Sequence, residues 1–195
     1  MLFSLVAVSE TWLHKSNPDL FNIPGYHFIS NSREHKLGGK AGLYIQSDMN
    51  LKLRNDLQSS DNSLYEPVFV EILRPHGKNT IVGCLCRPPD ASLNDFNRSV
   101  EDILSTISFE NKLCYIMGDF NINILNSYSH QPTNEFINLM TSNSLYPLIS
   151  KPTLITSSTA TLIDNIFTNN LELNMNSGIL YNDLSDHHPV FKLPT

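Results

Sequence analysis

Positive charge is scarce in this sequence. Thirteen lysines and arginines stand against 19 aspartates and glutamates, giving a formal net charge of −6 over 195 residues. A nucleic-acid coat protein would be basic. An enzyme with a metal at its centre and a local basic rim tolerates an acidic total, so the charge leaves nucleic acid open as a substrate. Cysteine is also sparse. Cys84 and Cys86 lie two apart in a strand-like run, so they share a face but are badly spaced for a disulfide, and Cys114 stands alone. Three reduced thiols point to an intracellular protein, in the nucleus or cytoplasm and not secreted. No basic import run chooses between the two compartments. No apolar run approaches the length of a membrane span. The opening "MLFSLVAVSE" resembles a short signal h-region, but it lacks a basic n-region, and Glu10 and Trp12 follow at once. It reads better as a buried strand starting almost at the first methionine, which suggests a longer domain that has lost its beginning. The sequon Asn97-Arg98-Ser99 falls inside a predicted helix.

Several chemistries are excluded by missing motifs. There is no CxxC pair or HExxH for zinc, no GxSxG nucleophile elbow and no P-loop. There is no internal repeat, low-complexity tract or linker, and 195 residues with 41% apolar content suit one domain with a sizeable core.

Short apolar runs recur at Leu2–Val8, Gly42–Gln46, Pro67–Leu73, Thr80–Cys86, Leu113–Met117, Leu162–Thr168, Gly178–Tyr181 and Pro189–Leu193. Each is rich in Val, Ile, Phe, Tyr or Leu and ends in polar residues, Pro or Gly, as strands do. Two segments carry helical spacing. In "SLNDFNRSVEDILSTIS", Phe96, Val100, Ile103, Leu104 and Ile107 form one stripe behind an N-cap at Ser92. In "PTNEFINLMTSN", Phe136, Leu139 and Met140 do the same after Pro132. The pattern predicts an α/β (α+β) sandwich of two packed, antiparallel-rich sheets with a few helices.

Polar residues sit beside four of the apolar runs. Glu10 follows "LVAVS", and Asp119 and Asn121 follow "YIMG". Asp164 lies inside "TLIDNIF", and Ser185-Asp186-His187 precede "PVFKL". Each has an ordinary structural explanation: a surface or capping glutamate, an Asp/Asn turn, a buried salt bridge for Asp164, a satisfied turn histidine. Together they form a set of carboxylates, one amide and one histidine without cysteine, which suits a hard cation with oxygen ligands, Mg²⁺ or Mn²⁺. A hard cation beside a carboxylate–histidine pair is equipment for phosphoester hydrolysis. Asp119 and Asn121 are expected to point one way as residues i and i+2 of an extended chain. Gly118 is expected to let the backbone pass close to a metal or phosphate.

The order "SETWL", "RPP", "GDFN", "LIDNIF", "SDHHPV" resembles the endonuclease/exonuclease/phosphatase superfamily, and more narrowly the apurinic-type endonuclease domain of non-LTR retrotransposons, over nearly the whole chain. The resemblance implies a four-layered DNase I-like sandwich with the site at one end of the strands. It implies a metal-binding Glu10, with Asp186 on the metal side. Asp119 positions or deprotonates water, Asn121 holds a phosphate oxygen and orients its neighbours, Asp164 orients a histidine, and His187 contacts the phosphate. Thr153 and Ser185 are implied as hydrogen-bonding contacts near the site. Apart from the resemblance, Arg33, Lys36, Lys40, Arg74, Lys78, Arg87 and Lys151 fall in loops or at strand ends and are candidate phosphate or substrate contacts, with solvated surface charge the ordinary alternative for each.

Two departures follow from the same resemblance. The family's first strand, with an active-site asparagine, is missing, and Cys86 stands where the family commonly has a tyrosine. With no reverse transcriptase following Thr195, the chain resembles a detached piece of an element. Three readings result: a Mg²⁺-dependent DNA-nicking endonuclease, monomeric and without a membrane partner; a weakened or inactive remnant of it; or a phosphatase-type member of the same fold acting on a phospholipid or inositol phosphate.

Overall fold

The computed structural model describes residues 3–9, 11, 22–30, 41–57, 66–171 and 176–193. At its centre lies a six-stranded mixed sheet. In spatial order it contains β4 (Leu51–Leu53), β5 (Glu66–Ile72), β6 (Thr80–Cys86), β7 (Leu113–Asp119), β11 (Asp164–Thr168) and β8 (Tyr146–Pro147). Neighbours run antiparallel except β6 and β7, which are parallel. A parallel pair needs a crossover connection, and helix α1 (Leu93–Ser108) supplies it.

Residues alternate across the central strands, and the two sides bury different partners. On one side Phe69, Ile81, Leu85 and Ile116 meet α1 and α2 (Gln131–Ser142). The stripe Phe96, Val100, Ile103, Leu104 and Ile107 is buried there as its spacing predicts, and the Ser92 side chain accepts from the Asp95 N–H. Phe96, Phe120, Phe136 and Phe167 form a ring cluster with centroid separations of 5.3–6.1 Å.

On the other side Val68, Val70, Val82, Cys84 and Cys86 meet a three-stranded antiparallel sheet in the order β1 (Leu5–Val8), β3 (Gly42–Gln46), β2 (Tyr26–Ser30). Beside it lies the hairpin of β12 (Asn176–Ile179) and β13 (Val190–Leu193), and a two-residue pair joins β9 (Leu154–Ile155) to β10 (Ala160–Thr161). Cys84, Cys86 and Cys114 are buried and none is disulfide-linked. The molecule is thus an α/β sandwich of two β layers with helices packed outside. No described helix is long and apolar enough to cross a membrane.

Strands β2, β4, β8, β9 and β10 lie outside the runs expected from the sequence. Four of them are two or three residues long, too short for a period to show. In β2, "YHFIS", partner geometry decides: Phe28 stacks 4.6 Å from Tyr44 and lies over Gly42, where any side chain would collide with its ring.

Candidate active site

Two strands running in opposite directions end together. In the β7–β11 ladder Asp119 is the direct partner of Asp164. Two carboxylates facing each other across a sheet repel. A third segment answers them: His187 Nδ1 lies 3.1 and 3.4 Å from the two Asp164 oxygens. Ligand atoms of Asp119, Asp164 and His187 all lie within 4.8 Å of one another.

Thr153 brings the histidine segment in. Its side chain is fully buried, and its hydroxyl accepts from the N–H groups of Ile163 and Asp164. Its carbonyl accepts from His188 N, and Ile155 N donates to the Asp186 carbonyl. One residue therefore fixes both the start of β11 and the chain carrying His187. The bond to Asp164 raises the His187 imidazole from 6.5 to about 9, with the fields of Asp164, Asp119 and Asp186 adding and burial opposing. The raised value keeps the ring protonated at neutral pH, with Nδ1 bonded to Asp164.

Asp119 is held from its other side. The chain does not stay extended after it, contrary to the expectation of a shared face: Asn121 has φ of +49°. Asp119 Oδ1 accepts from Asn121 N, and Oδ2 accepts from the Asn121 amide at 3.2 Å. The second Asn121 amide hydrogen goes to the Arg87 carbonyl. A local Asp–Asn turn therefore brings these side chains together, and Asn121 orients Asp119. Phe120 does point into the core. Gly118 has a different reason from the expected one. At φ +141°, its missing side chain makes room for the Leu85 carbonyl of the neighbouring strand.

Arg87 is also placed otherwise than expected for a substrate contact. It is buried, and its guanidinium donates to the carbonyls of Phe120, Pro88, Ala91 and Asn121. It braces the "GDFN" turn against the "RPP" loop. Ser185 is exposed and donates to Asp186 Oδ1 while accepting from His187 N, so it shapes the turn that presents the histidine. Asp186 is exposed at the rim, outside the three-residue cluster. Glu10, Arg33, Lys36 and Lys40 lie outside the described residues. Arg74 and Lys78 flank the beginning of β6, at the opposite end of the sheet from Asp119, and Lys151 is exposed two residues before Thr153. Asn123 was not singled out in the sequence, yet its side-chain oxygen accepts from Leu125 N and from Leu162 N, tying the loop after β7 to the approach to β11. Only its place in "GDFNIN" hinted at this.

The carboxylate oxygens of this cluster suit a hard divalent cation; His187, protonated and bonded to Asp164, is not among its ligands. A cavity of about 730 Å³ opens from the cluster; Asp119, Asp164, Ser185 and His187 line one end.

Residues 80–191, more than half of the chain, match the model of a family described as endonuclease–reverse transcriptase. Among solved structures, the chain is similar to the endonuclease domain of TRAS1, a telomere-specific non-LTR retrotransposon. The two are 14% identical with a TM-score of 0.72, covering 97% of this chain and 85% of that one. It is similar to the catalytic domain of APE2 from Xenopus laevis, 16% identical with a TM-score of 0.68, over 97% and 83% of the two chains. It is also similar to the 3′ phosphatase NExo from Neisseria, bound to a product DNA hairpin, 11% identical with a TM-score of 0.61, over 96% and 87%. At these identities the likeness establishes the fold. No curated protein sequence matches.

Proposed function

This chain belongs to the endonuclease–reverse transcriptase family, and from that premise we propose that it is a metal-dependent phosphodiesterase that nicks one strand of DNA and leaves a 3′-hydroxyl. The observation that carries the proposal is the meeting of Asp119, Asp164 and His187 at one end of the sheet. Asp119 accepts a proton from, or positions, the attacking water, and Asn121 and Arg87 keep its carboxylate aimed. Protonated His187, held by Asp164, offers Nε2 to a phosphoryl oxygen as negative charge builds there. Asp119 and Asp186, with Glu10, are the candidate ligands of Mg²⁺ or Mn²⁺. When bound, the ion supplies charge stabilisation at the phosphate. Exposed Lys151 is suited to a backbone phosphate contact beside the site.

The test is conversion of supercoiled plasmid to open circle by the purified protein in Mg²⁺. Asp119→Ala and His187→Ala are each expected to slow nicking by about 10²- to 10⁴-fold, and EDTA to stop it. Nicking that survives both substitutions would remove the site from the reaction. No nicking at high protein concentration identifies a catalytically dead remnant of the fold.

A further inference from the structure

A second cavity, of about 430 Å³, lies at the end of β7 opposite Asp119. The last turns of α1 and α2 converge on it, and the chain entering β7 and the residue after β11 close it. Leu104, Ile107, Cys114 and Leu145 form a buried apolar floor. Above the floor the lining is polar, with serines and asparagines from the ends of both helices.

Hydrogen bonds decide what this polar rim offers. Ser108 Oγ donates to the carbonyls of Leu104 and Ser105, and Ser142 Oγ donates to the Leu139 carbonyl. A hydroxyl whose single hydrogen is spent presents lone pairs. The Asn143 amide also donates to the Leu139 carbonyl, which leaves its side-chain oxygen as an acceptor. Asn169 is spent on both sides: it accepts from Cys114 N and donates to the Lys112 carbonyl. Asn111 Oδ1 accepts from the Lys78 ammonium at 3.0 Å. The rim is therefore rich in acceptors. Its electrostatics have the same sign. A helix C-terminus carries roughly half a negative elementary charge, and neither helix has a basic residue in its last turn. Lys112, the single charged group among the described lining residues, directs its ammonium to Glu71 and Glu110 instead.

These surroundings select among ligands. An anion would meet two negative helix ends and a ring of lone pairs. A hard metal ion would find no carboxylate among the described lining residues. An organic cation with several N–H donors finds acceptors, helix ends of opposite charge and an apolar floor. Lys78 shows the preference from within the chain, since it places an ammonium group on the Asn111 oxygen at the rim. We propose that this cavity is a binding site for a primary alkylammonium group. The ammonium sits between the ends of α1 and α2, donating to Ser108, Ser142 and Asn143, and its methylene stem lies on Leu104, Ile107 and Leu145. Free aliphatic diamines and lysine side chains both carry this chemistry. The site is separated from the catalytic cluster by the length of β7 and is independent of the nuclease reading.

NMR titration of backbone amides tests it. The probes are diaminobutane and acetyl-lysine amide, with butanediol as the uncharged match. Diaminobutane is expected to move the amides of Ser108, Asn111, Ser144 and Asn169 saturably at about millimolar concentration, and butanediol to leave them in place. Ser142→Lys tethers an ammonium group at the last turn of α2, where it also suits the helix dipole. This variant is expected to bind diaminobutane at least about tenfold more weakly, while the amides of β6 and β7 keep their wild-type shifts. Tighter binding of diaminobutane than of acetyl-lysine amide assigns a free amine as the ligand, and the reverse assigns a lysine of a partner chain. Equal shifts with butanediol, shifts that never saturate, or undiminished binding by Ser142→Lys overturns the proposal.

Discussion

At the scale of single residues, the carboxylate–imidazole pair governs how the site responds to pH. His187 is raised from 6.5 to about 9 by its bond to Asp164. A group whose folded value lies above its unfolded value stabilises the fold fully below the unfolded value, and that contribution is lost as pH rises through the folded value. The His187–Asp164 contribution is therefore present below about pH 6.5 and disappears by about pH 9. Because the ring is partly exposed, solvent weakens its size. Thermal melts between pH 6 and 10 should show Asp164→Asn converging on the wild type at the alkaline end, and NMR titration should return the His187 value toward 6.5 in that variant. A variant histidine still titrating near 9 would assign the shift to another partner. The sequence made Asp164 conspicuous as a carboxylate inside an apolar strand. It could not show that its direct partner across the ladder is Asp119, because that depends on register between segments 45 positions apart.

At the scale of elements, the junction of β6 and β7 controls the turn that carries Asp119 and Asn121. The backbones approach so closely that Gly118 leaves no room for a methyl against the Leu85 carbonyl, and its φ of +141° disfavours any side chain. Gly118→Ala is expected to cost about 3 kcal/mol or more in urea denaturation. It should also reduce nicking beyond what lost folded protein explains, because Asp119 is the next residue. A Gly118→Ala protein with wild-type stability would refute the close approach. This glycine is visible in the sequence as the end of "YIMG", but its neighbour is not. Arg87 shows the same limit. Beside two prolines in a loop it reads as a cation for phosphate, yet folding buries it and turns its donors onto four carbonyls. An exposed contact and a buried brace use the same letter.

At the scale of the whole molecule, the end of the sheet opposite the site is held by charge. Arg54, nearly buried, pairs with Asp56, Glu71 and Glu110, and Lys112 pairs with Glu71 and Glu110. The network joins the loop after β4, strand β5 and the turn between α1 and β7. Glu71 is buried with Arg54, whereas Asp56 is half exposed and Glu110 and Lys112 are partly exposed, so Arg54→Ala chiefly leaves Glu71 short of a partner and is expected to lower unfolding free energy by about 2–3 kcal/mol in denaturant titrations. It should leave the nicking rate per folded molecule unchanged, since the network lies roughly 20 Å, the length of β7, from Asp119. A loss under 1 kcal/mol would show that the network is solvated in solution.

What the sequence determined by itself is local. Apolar period marked β3, β6 and both helices, and the Ser92 cap fixed the start of α1, because these properties depend on neighbours a few positions apart. The motif letters also named the residues proposed to carry chemistry. The tertiary structure decided which of them meet. Asp119, Asp164 and His187 come together only because β7, β11 and the Thr153-anchored segment end at one place, and the cavities arise only from the packing of elements far apart in the chain. Hydrogen-bond register and strand order are relations between distant segments, and side-chain pattern within each segment leaves them undetermined.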